Sequence, residues 1–313
     1  MTILGTKNLT TLSQAQVLTQ AQVLTQAQVP TQTPAQPGRR RAAALAEKHW
    51  HRYLGALIDM IGQPNFTGAL VNALSHVVFF DHMVIFSYQG DQRPYCLYDT
   101  FTPEQRWVFV SLYEDGPYLL DPFFQASRSG IKPGLYRMRQ FAPDRFYQSE
   151  YYRSYYIKTG LAEEVGFFFP LKSGETVVLS LMRAEASSAF SDHDVGRLQI
   201  IEPVIRAICQ QHWPDSGLDQ VALKASDGAP LDLDQVVTSI FQSLGPASLT
   251  QRECEITSLV LQGHSSESIG QLLHISRGTV KIHRKNAYRK LGITSQSQLF
   301  SLFLTAFRNN EKD

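Results

Sequence analysis

Cysteine is scarce in this chain of 313 residues: Cys96, Cys209 and Cys254 are odd in number, far apart and form no Cys-x-x-Cys pair. That excludes a disulfide framework or a zinc knuckle and leaves apolar packing as their role. No run of about eighteen apolar residues is present, so nothing reads as a membrane span. A secretory signal is missing as well, because Gln and Thr interrupt every Val-Leu pair from Val17 to Val29; a cytoplasmic protein is expected. There is no phosphate loop, no His-Glu-x-x-His and no Gly-x-Ser-x-Gly, and the nine histidines show no ligand spacing. His76, His82 and His193 read as surface or satisfied polar residues. A phosphorylated receiver domain is disfavoured too, since no acidic pair after a first strand is followed by a lone Asp and a Lys at strand ends. Neither an enzyme nor a bound cofactor or metal is expected.

What is present divides unevenly along the chain. The net charge of +1 hides nine cationic against five acidic residues from position 249 onward, a charge of +4 that leaves −3 for the rest. A basic tail on a slightly acidic body favours a polyanion partner for the tail alone. The length allows two domains, since single cores stop growing before it is reached.

Residues 14–31 repeat a six-residue unit, Gln-Ala-Gln-Val-Leu-Thr, and with the polar stretch after them predict a disordered leader over residues 1–41. Arg39, Arg40 and Arg41 close it, as a solvated charge run or as phosphate contacts. Residues 42–213 alternate helical and strand-like segments. One hairpin is expected from Met83–Tyr88 to Tyr95–Tyr98 across Gly90-Asp91, and a second from Val165–Phe169 to Thr176–Met182 across Ser173-Gly174. Helices are expected around Tyr53–Ala73, Pro103–Tyr113 and Pro143–Ile157. A last one follows Asp192, with Ile200, Ile201, Val204, Ile205 and Ile208 on one face. The fold class is therefore an α+β sensor-like domain, an antiparallel sheet flanked by helices, followed by an all-α domain. Residues 214–244 read as a linker carrying a short helix from Leu233, and residues 245–313 as the helical domain.

That last segment has legible caps. Thr250 and Glu253 form a capping-box pattern with Leu249 and Cys254 as a hydrophobic staple, and Gly263 stands at a helix C-terminus. Ser265 and Ser276 can each cap a following helix, and a three-residue turn separates those helices. Placed at 100° intervals, the third helix puts Val280, His283, Ala287 and Leu291 on one face and Lys281, Ile282, Lys285 and Arg289 on the other. No acidic residue lies between Ser276 and Leu291. Cationic side chains beside one apolar one suit base-edge acceptors and thymine methyls in a major groove. A solvated basic helix would show the same stripe, but not the capped scaffold and short turn before it.

These residues carry a resemblance. Leu249-Thr250-x-Arg252-Glu253, Gly263-x-Ser265, Ile275-Ser276-x-x-Thr279-Val280-Lys281-x-His283 and Lys290-Leu291-Gly292 are similar to the LuxR/FixJ helix-turn-helix family from about Leu249 to Phe300. The resemblance implies a four-helix DNA-binding domain, with Lys281, Ile282 and Lys285 at positions that reach bases and Thr279 and Lys290 near phosphates. Its fourth helix, Ser295 to about Phe307, would correspond to the family's dimerisation helix. Leu299, Leu302, Phe303 and Phe307 offer an apolar face, and two half-sites would multiply the specificity of one short helix, so a homodimer on a double-stranded operator is expected. Two positions depart from the family pattern: Ser268 replaces a Glu, removing half of a capping box, and Gly270 replaces an Ala at a cost of up to about 1 kcal/mol in a helix interior.

Upstream, Trp107, Tyr113 and Asp121-Pro122 resemble the autoinducer-binding domain of LuxR-type quorum-sensing receptors. The resemblance implies that Asp121 accepts a hydrogen bond from a ligand amide while Trp and Tyr hold the other end, with Tyr136 close by. Asp121 can equally be a helix N-cap ahead of Pro122. Phe146, Tyr147, Tyr151, Tyr152, Tyr155 and Tyr156 form an aromatic stripe that suits either core or pocket. A small molecule is the expected partner of this domain; a protein-interaction or purely structural module is the alternative, and an enzyme-like domain the weaker one.

Overall fold

Two nearly continuous apolar runs, buried on both sides, form the centre of the sheet. The structure, a computed structural model, describes residues 50–89, 92–213, 233–242 and 248–310. The leader expected to residue 41, the turn at Gly90-Asp91, linker residues 214–232 and the boundary at Gly245-Pro246 lie outside the described residues. Helix α1 (50–59) and α2 (Phe66–Ser75) lead into β1 (His82–Tyr88) and β2 (Tyr95–Asp99). A helix starting as α3 (Pro103–Arg106) loosens into π turns over Trp107–Ser111 and closes at Leu112–Glu114. After it come α4 (Pro122–Arg128), β3 (Gly134–Arg137), α5 (Glu150–Ser154), β4 (Leu161–Pro170), β5 (Thr176–Ala184) and α6 (Asp192–His212). Both expected hairpins form, and antiparallel pairing of β1 with β5 joins them into a five-stranded sheet of order β2-β1-β5-β4-β3. The edge strand β3 was not expected; its four residues are too few to show a period.

Because successive side chains point to opposite sides of a strand, each strand feeds two cores. Met83, Ile85, Val165, Phe167, Phe169, Val177, Leu179 and Leu181 pack under α1, α2 and α6. Val84, Phe86, Tyr88, Phe168, Val178 and Met182 face the other way, toward α4, α5 and the helical segment. Side chains of this size contribute roughly 1.5–3 kcal/mol each when fully buried. A buried bidentate pair locks one end: Arg137 on β3 donates to both Glu163 oxygens at 2.7 and 3.0 Å and to Asp192 at the start of α6 at 2.8 Å.

Three expectations on this region are corrected. The continuous helix over Pro143–Ile157 is instead a 3-10 turn at Phe146–Gln148, then α5 capped by Ser149, then a second 3-10 turn at Tyr156–Thr159 ending on left-handed Gly160. Ser149 is the physical reason: its hydroxyl accepts from Tyr152 N–H at 3.1 Å, which restarts the helix there. On α6 the buried stripe is Leu198, Ile201, Ile205, Ile208 and Cys209, whereas Ile200 is 79% exposed and Val204 40%. At 100° per residue Leu198, Ile205 and Cys209 extend the buried arc on one side of Ile201, and Ile200 lies on its other side, outside the arc.

The C-terminal helices are α7 (Leu233–Gln242), α8 (Gln251–Gln262), α9 (Ser266–Leu272), α10 (Arg277–Leu291) and α11 (Gln296–Asn310). The expected capping box holds: Thr250 Oγ1 accepts from Glu253 N–H at 3.3 Å and Glu253 accepts from Thr250 N–H at 2.9 Å. Gly263 and Gly292 end α8 and α10 in the left-handed region. Gly270 proves a matter of fit, since a Cβ there would stand 2.8 Å from the Ile275 carbonyl oxygen and force the helix-helix turn apart.

The third correction concerns α11. Leu299, Phe303 and Phe307 are buried inside the chain, in the same core as the second face of the sheet. Phe307 packs edge-on against Tyr118, ring centroids 6.4 Å apart, and Gly116 leaves the space for its ring. The face read as a dimer surface is already spent, so the sheet region and the helical segment share one core. Phe307→Ala should therefore cost about 3–5 kcal/mol, the usual range for deleting a buried Phe. Urea denaturation, comparing midpoints at unchanged slope, measures it.

Candidate functional site

The helix α10 is started by Ser276, whose hydroxyl accepts from Thr279 N–H at 3.0 Å and shares a 2.8 Å hydrogen bond with the Thr279 hydroxyl. Val280 and Ala287 are fully buried and fix its rotation about its axis. That rotation leaves Lys281, Ile282, Lys285 and Arg289 exposed, and Ile282 keeps 62% of its surface, unusual for an isoleucine unless something else covers it. Thr279 is half-buried and engaged with Ser276. Lys290 has a different setting: its Nζ donates to Glu253 Oε2 at 2.7 Å, linking α10 to the start of α8. Burial opposes the charge on Glu253, but hydrogen bonds from Lys290 and Thr250 outweigh it and hold the carboxyl below the usual range. Of the six residues expected at DNA, four share one open stripe, while Thr279 and Lys290 are tied into the scaffold. A cleft of about 630 Å³ opens beside that stripe, bordered by Lys281, Lys285, Arg277 and Arg284.

A second feature lies inside the sheet region. Tyr88, Tyr113, Tyr151, Tyr155 and Tyr156 line, together with Asp121 and Glu164, a cavity of about 30 Å³, room for about one water. Tyr113 donates to Asp121 Oδ2 at 2.6 Å, and the Tyr88 and Tyr113 hydroxyls stand 3.1 Å apart. Asp121 Oδ1 accepts from Phe123 N–H at 2.9 Å, so this residue is both the cap of α4 and a cavity carboxylate. Burial pushes the Asp121 carboxyl up to about 6 against the pull of its hydrogen bonds. Burial and then the Asp121 charge push Glu164 up to about 8, with Ser180 opposing. Desolvation raises the five phenols as well, which keeps them neutral donors.

Of the four residues expected at a ligand, Tyr113 and Asp121 meet in this cavity. Trp107 is 60% exposed, outside the cavity lining. Tyr136 packs on Phe141 and Phe168 and donates to the Lys132 carbonyl at 2.9 Å, also outside it. The aromatic stripe divides: Tyr151, Tyr155 and Tyr156 line the cavity, Phe146 is core, and Tyr147 is exposed. Glu164 was missed by sequence reasoning. Its signal was the pair Glu163-Glu164 entering an apolar strand, where alternation sends one to Arg137 and the other to the cavity.

The chain is similar to several known proteins. Residues 247–303 match a family model described as bacterial regulatory proteins, luxR family. A protein of Aeromonas salmonicida, named as an HTH-type transcriptional regulator in the exeN 3′ region, is 37% identical over 186 residues, covering 59% of this chain and 93% of that protein. Among solved structures, the VqsR LBD domain from Pseudomonas aeruginosa is 27% identical with a TM-score of 0.46, covering 52% of this chain and 96% of that one. Escherichia coli SdiA is 16% identical with a TM-score of 0.37, covering 83% and 97%.

The buried carboxylates dictate a pH dependence. Both have folded values above their ordinary ones, so the unfolded chain loses these protons first and the folded state binds more protons as pH rises. The stability they contribute is complete below the ordinary carboxylate range and is lost as pH climbs through about 8. Melting temperature should fall between pH 5 and pH 8, and Glu164→Gln should flatten that slope; differential scanning calorimetry across buffers reads both.

Proposed function

The chain belongs to the LuxR family of bacterial regulatory proteins, DNA-binding transcription regulators, and we propose that it reads a double-stranded operator through Lys281, Ile282 and Lys285. The observation that carries this is the open stripe of α10, cationic with one exposed isoleucine and held in place by the buried Val280 and Ala287. Long amine side chains reach guanine O6 and N7, and an apolar one contacts a thymine methyl. Arg289, on the same stripe, and Thr279 at the N-terminal turn take phosphate positions. Lys290 does so only at the expense of its bond to Glu253, so its main work is to hold α10 on α8.

The regulator works as a dimer, through a surface other than α11. On α6 the residues Ile200, Pro203, Val204 and Ala207 are exposed, uncharged and on one face. A stripe of this kind pairs with its own copy about a two-fold axis, which also matches a two-fold operator.

The tyrosine-lined cavity is the control site. With room for only about one water, it admits a small organic molecule only by displacing its own aromatic walls, so binding and conformational change are one event. Tyr151 belongs to α5, which packs on α8 and α11. A ligand that moves Tyr151 therefore shifts the helical segment, and linkage requires operator DNA to change ligand affinity by the same factor. Asp121 supplies an acceptor for a donor group on such a molecule, and Glu164, protonated below about pH 8, can donate as well as accept.

Replacing Lys281 or Lys285 by Ala should cost about 1–3 kcal/mol of operator binding and relax preference at one base position. A binding-site selection on each variant decides it, and an unchanged preference for both removes α10 from the groove. Ile200→Glu should shift the sedimenting species from dimer to monomer at micromolar protein, and a dimer that persists assigns the interface elsewhere.

A further inference from the structure

We infer that Arg145, which lies outside the helix-turn-helix segment, is a phosphate-backbone contact, so that the DNA surface extends onto the α+β region. The inference rests on the operator reading above. The cleft beside the recognition stripe has a second wall, and Arg145 provides its charge. Five cations then border the space, Arg145, Arg277, Lys281, Arg284 and Lys285, against one carboxylate, Glu267. Glu267 lies 4.0 Å from Arg277 with both side chains more than 60% exposed, a pair worth little in water. No ion pair to Arg145 is found among the described residues. Against burial, its charge helps to hold the Asp144 carboxyl low, but only at longer range and after that carboxylate's hydrogen bonds to Ser265. Like charges gathered there fit a polyanion.

The backbone holds this arginine in register. Arg145 N–H donates to the Gly263 carbonyl at 3.1 Å, and Asp144 accepts from Ser265 N–H at 2.9 Å, so two adjacent residues clasp the turn between α8 and α9. Asp144 is the acidic neighbour in the sequence, and its carboxylate is spent on that clasp. Gly263 permits the approach, because a Cβ there would stand 3.1 Å from Phe146 Cα. Phe146, the next residue, is buried against Tyr151 and Tyr156. Arg145 is thus an exposed side chain anchored on both sides, facing the same cleft as the base-reading lysines. A guanidinium in that place matches a phosphodiester with two parallel N–H donors. A duplex whose groove receives α10 brings its flanking phosphates to the cleft rim, and those are the groups Arg145 meets.

The experiment uses the full chain and an operator duplex recovered by binding-site selection. Affinity is measured between 50 and 200 mM salt on the operator and on an unrelated duplex. Arg145→Ala should weaken both by the same factor, roughly three- to ten-fold, and lower the salt slope of log K by about 0.9, the value for one lost phosphate contact. Arg145→Lys should restore the slope, and base preference should stay unchanged in both variants, unlike in Lys285→Ala. An unaltered slope in Arg145→Ala overturns the inference, as does tighter binding, which would make the segment a mask over the helix. If the wild-type chain selects no duplex at all, the operator reading itself fails and this inference with it. Circular dichroism melts confirm that the exposed substitution leaves the fold intact.

Discussion

The packing of Leu304 and Phe307 against the sheet region is the contact on which the arrangement of this protein depends. An amphipathic helix at the end of a chain must bury its apolar face somewhere, and α11 buries it against Tyr118 and the gap left by Gly116. Once that is fixed, α8 and α10 follow, because α11 packs on α8 and Gln296 donates to the Val260 carbonyl at 2.9 Å. Val280 and Ala287 then settle which side of α10 is left outside. The exposed cationic stripe is the remainder after every apolar surface of the segment has found a partner.

The same packing brings the cavity and the helical segment into one structure. Phe146 touches both: its ring lies against Tyr151 and Tyr156, and its backbone lies against Gly263. Interiors this dense do not deform smoothly, so a change in one wall is passed on as a shift of packed elements. On the proposed reading, that is how a molecule among the tyrosines alters the presentation of α10. Asp121, the more acidic of the two buried carboxyls, makes this wall sensitive to charge, since a buried charge is costly and each donor aimed at it relieves that cost.

Local rules carried much of the fold into the sequence. The caps at Thr250, Ser265 and Ser276, and the glycine at Gly263, act within four residues, so their spacing alone exposed them. The two hairpins were legible because alternation and a short polar turn are also local. The loosened helix after Pro103 and the interrupted one before Gly160 were less so: apolar and aromatic spacing looked continuous, while a single serine at position 149 restarts the chain. Strand β3 carries too short a pattern to read, and it is a strand because β4 offers it a partner.

The sequence by itself determined the two hairpins, the caps, the basic helix and the stripe that Lys281, Ile282, Lys285 and Arg289 form on it, because each depends on neighbours no more than a few turns away. Only the tertiary structure decided what those elements face. It sent the α11 face inward, exposed Ile200, kept Trp107 and Tyr136 away from the cavity, gave Glu164 to it, and set Arg145 beside α10. Each of these choices is made by contacts between residues distant in the chain. Periodicity states that a face will be buried, and only packing states against what.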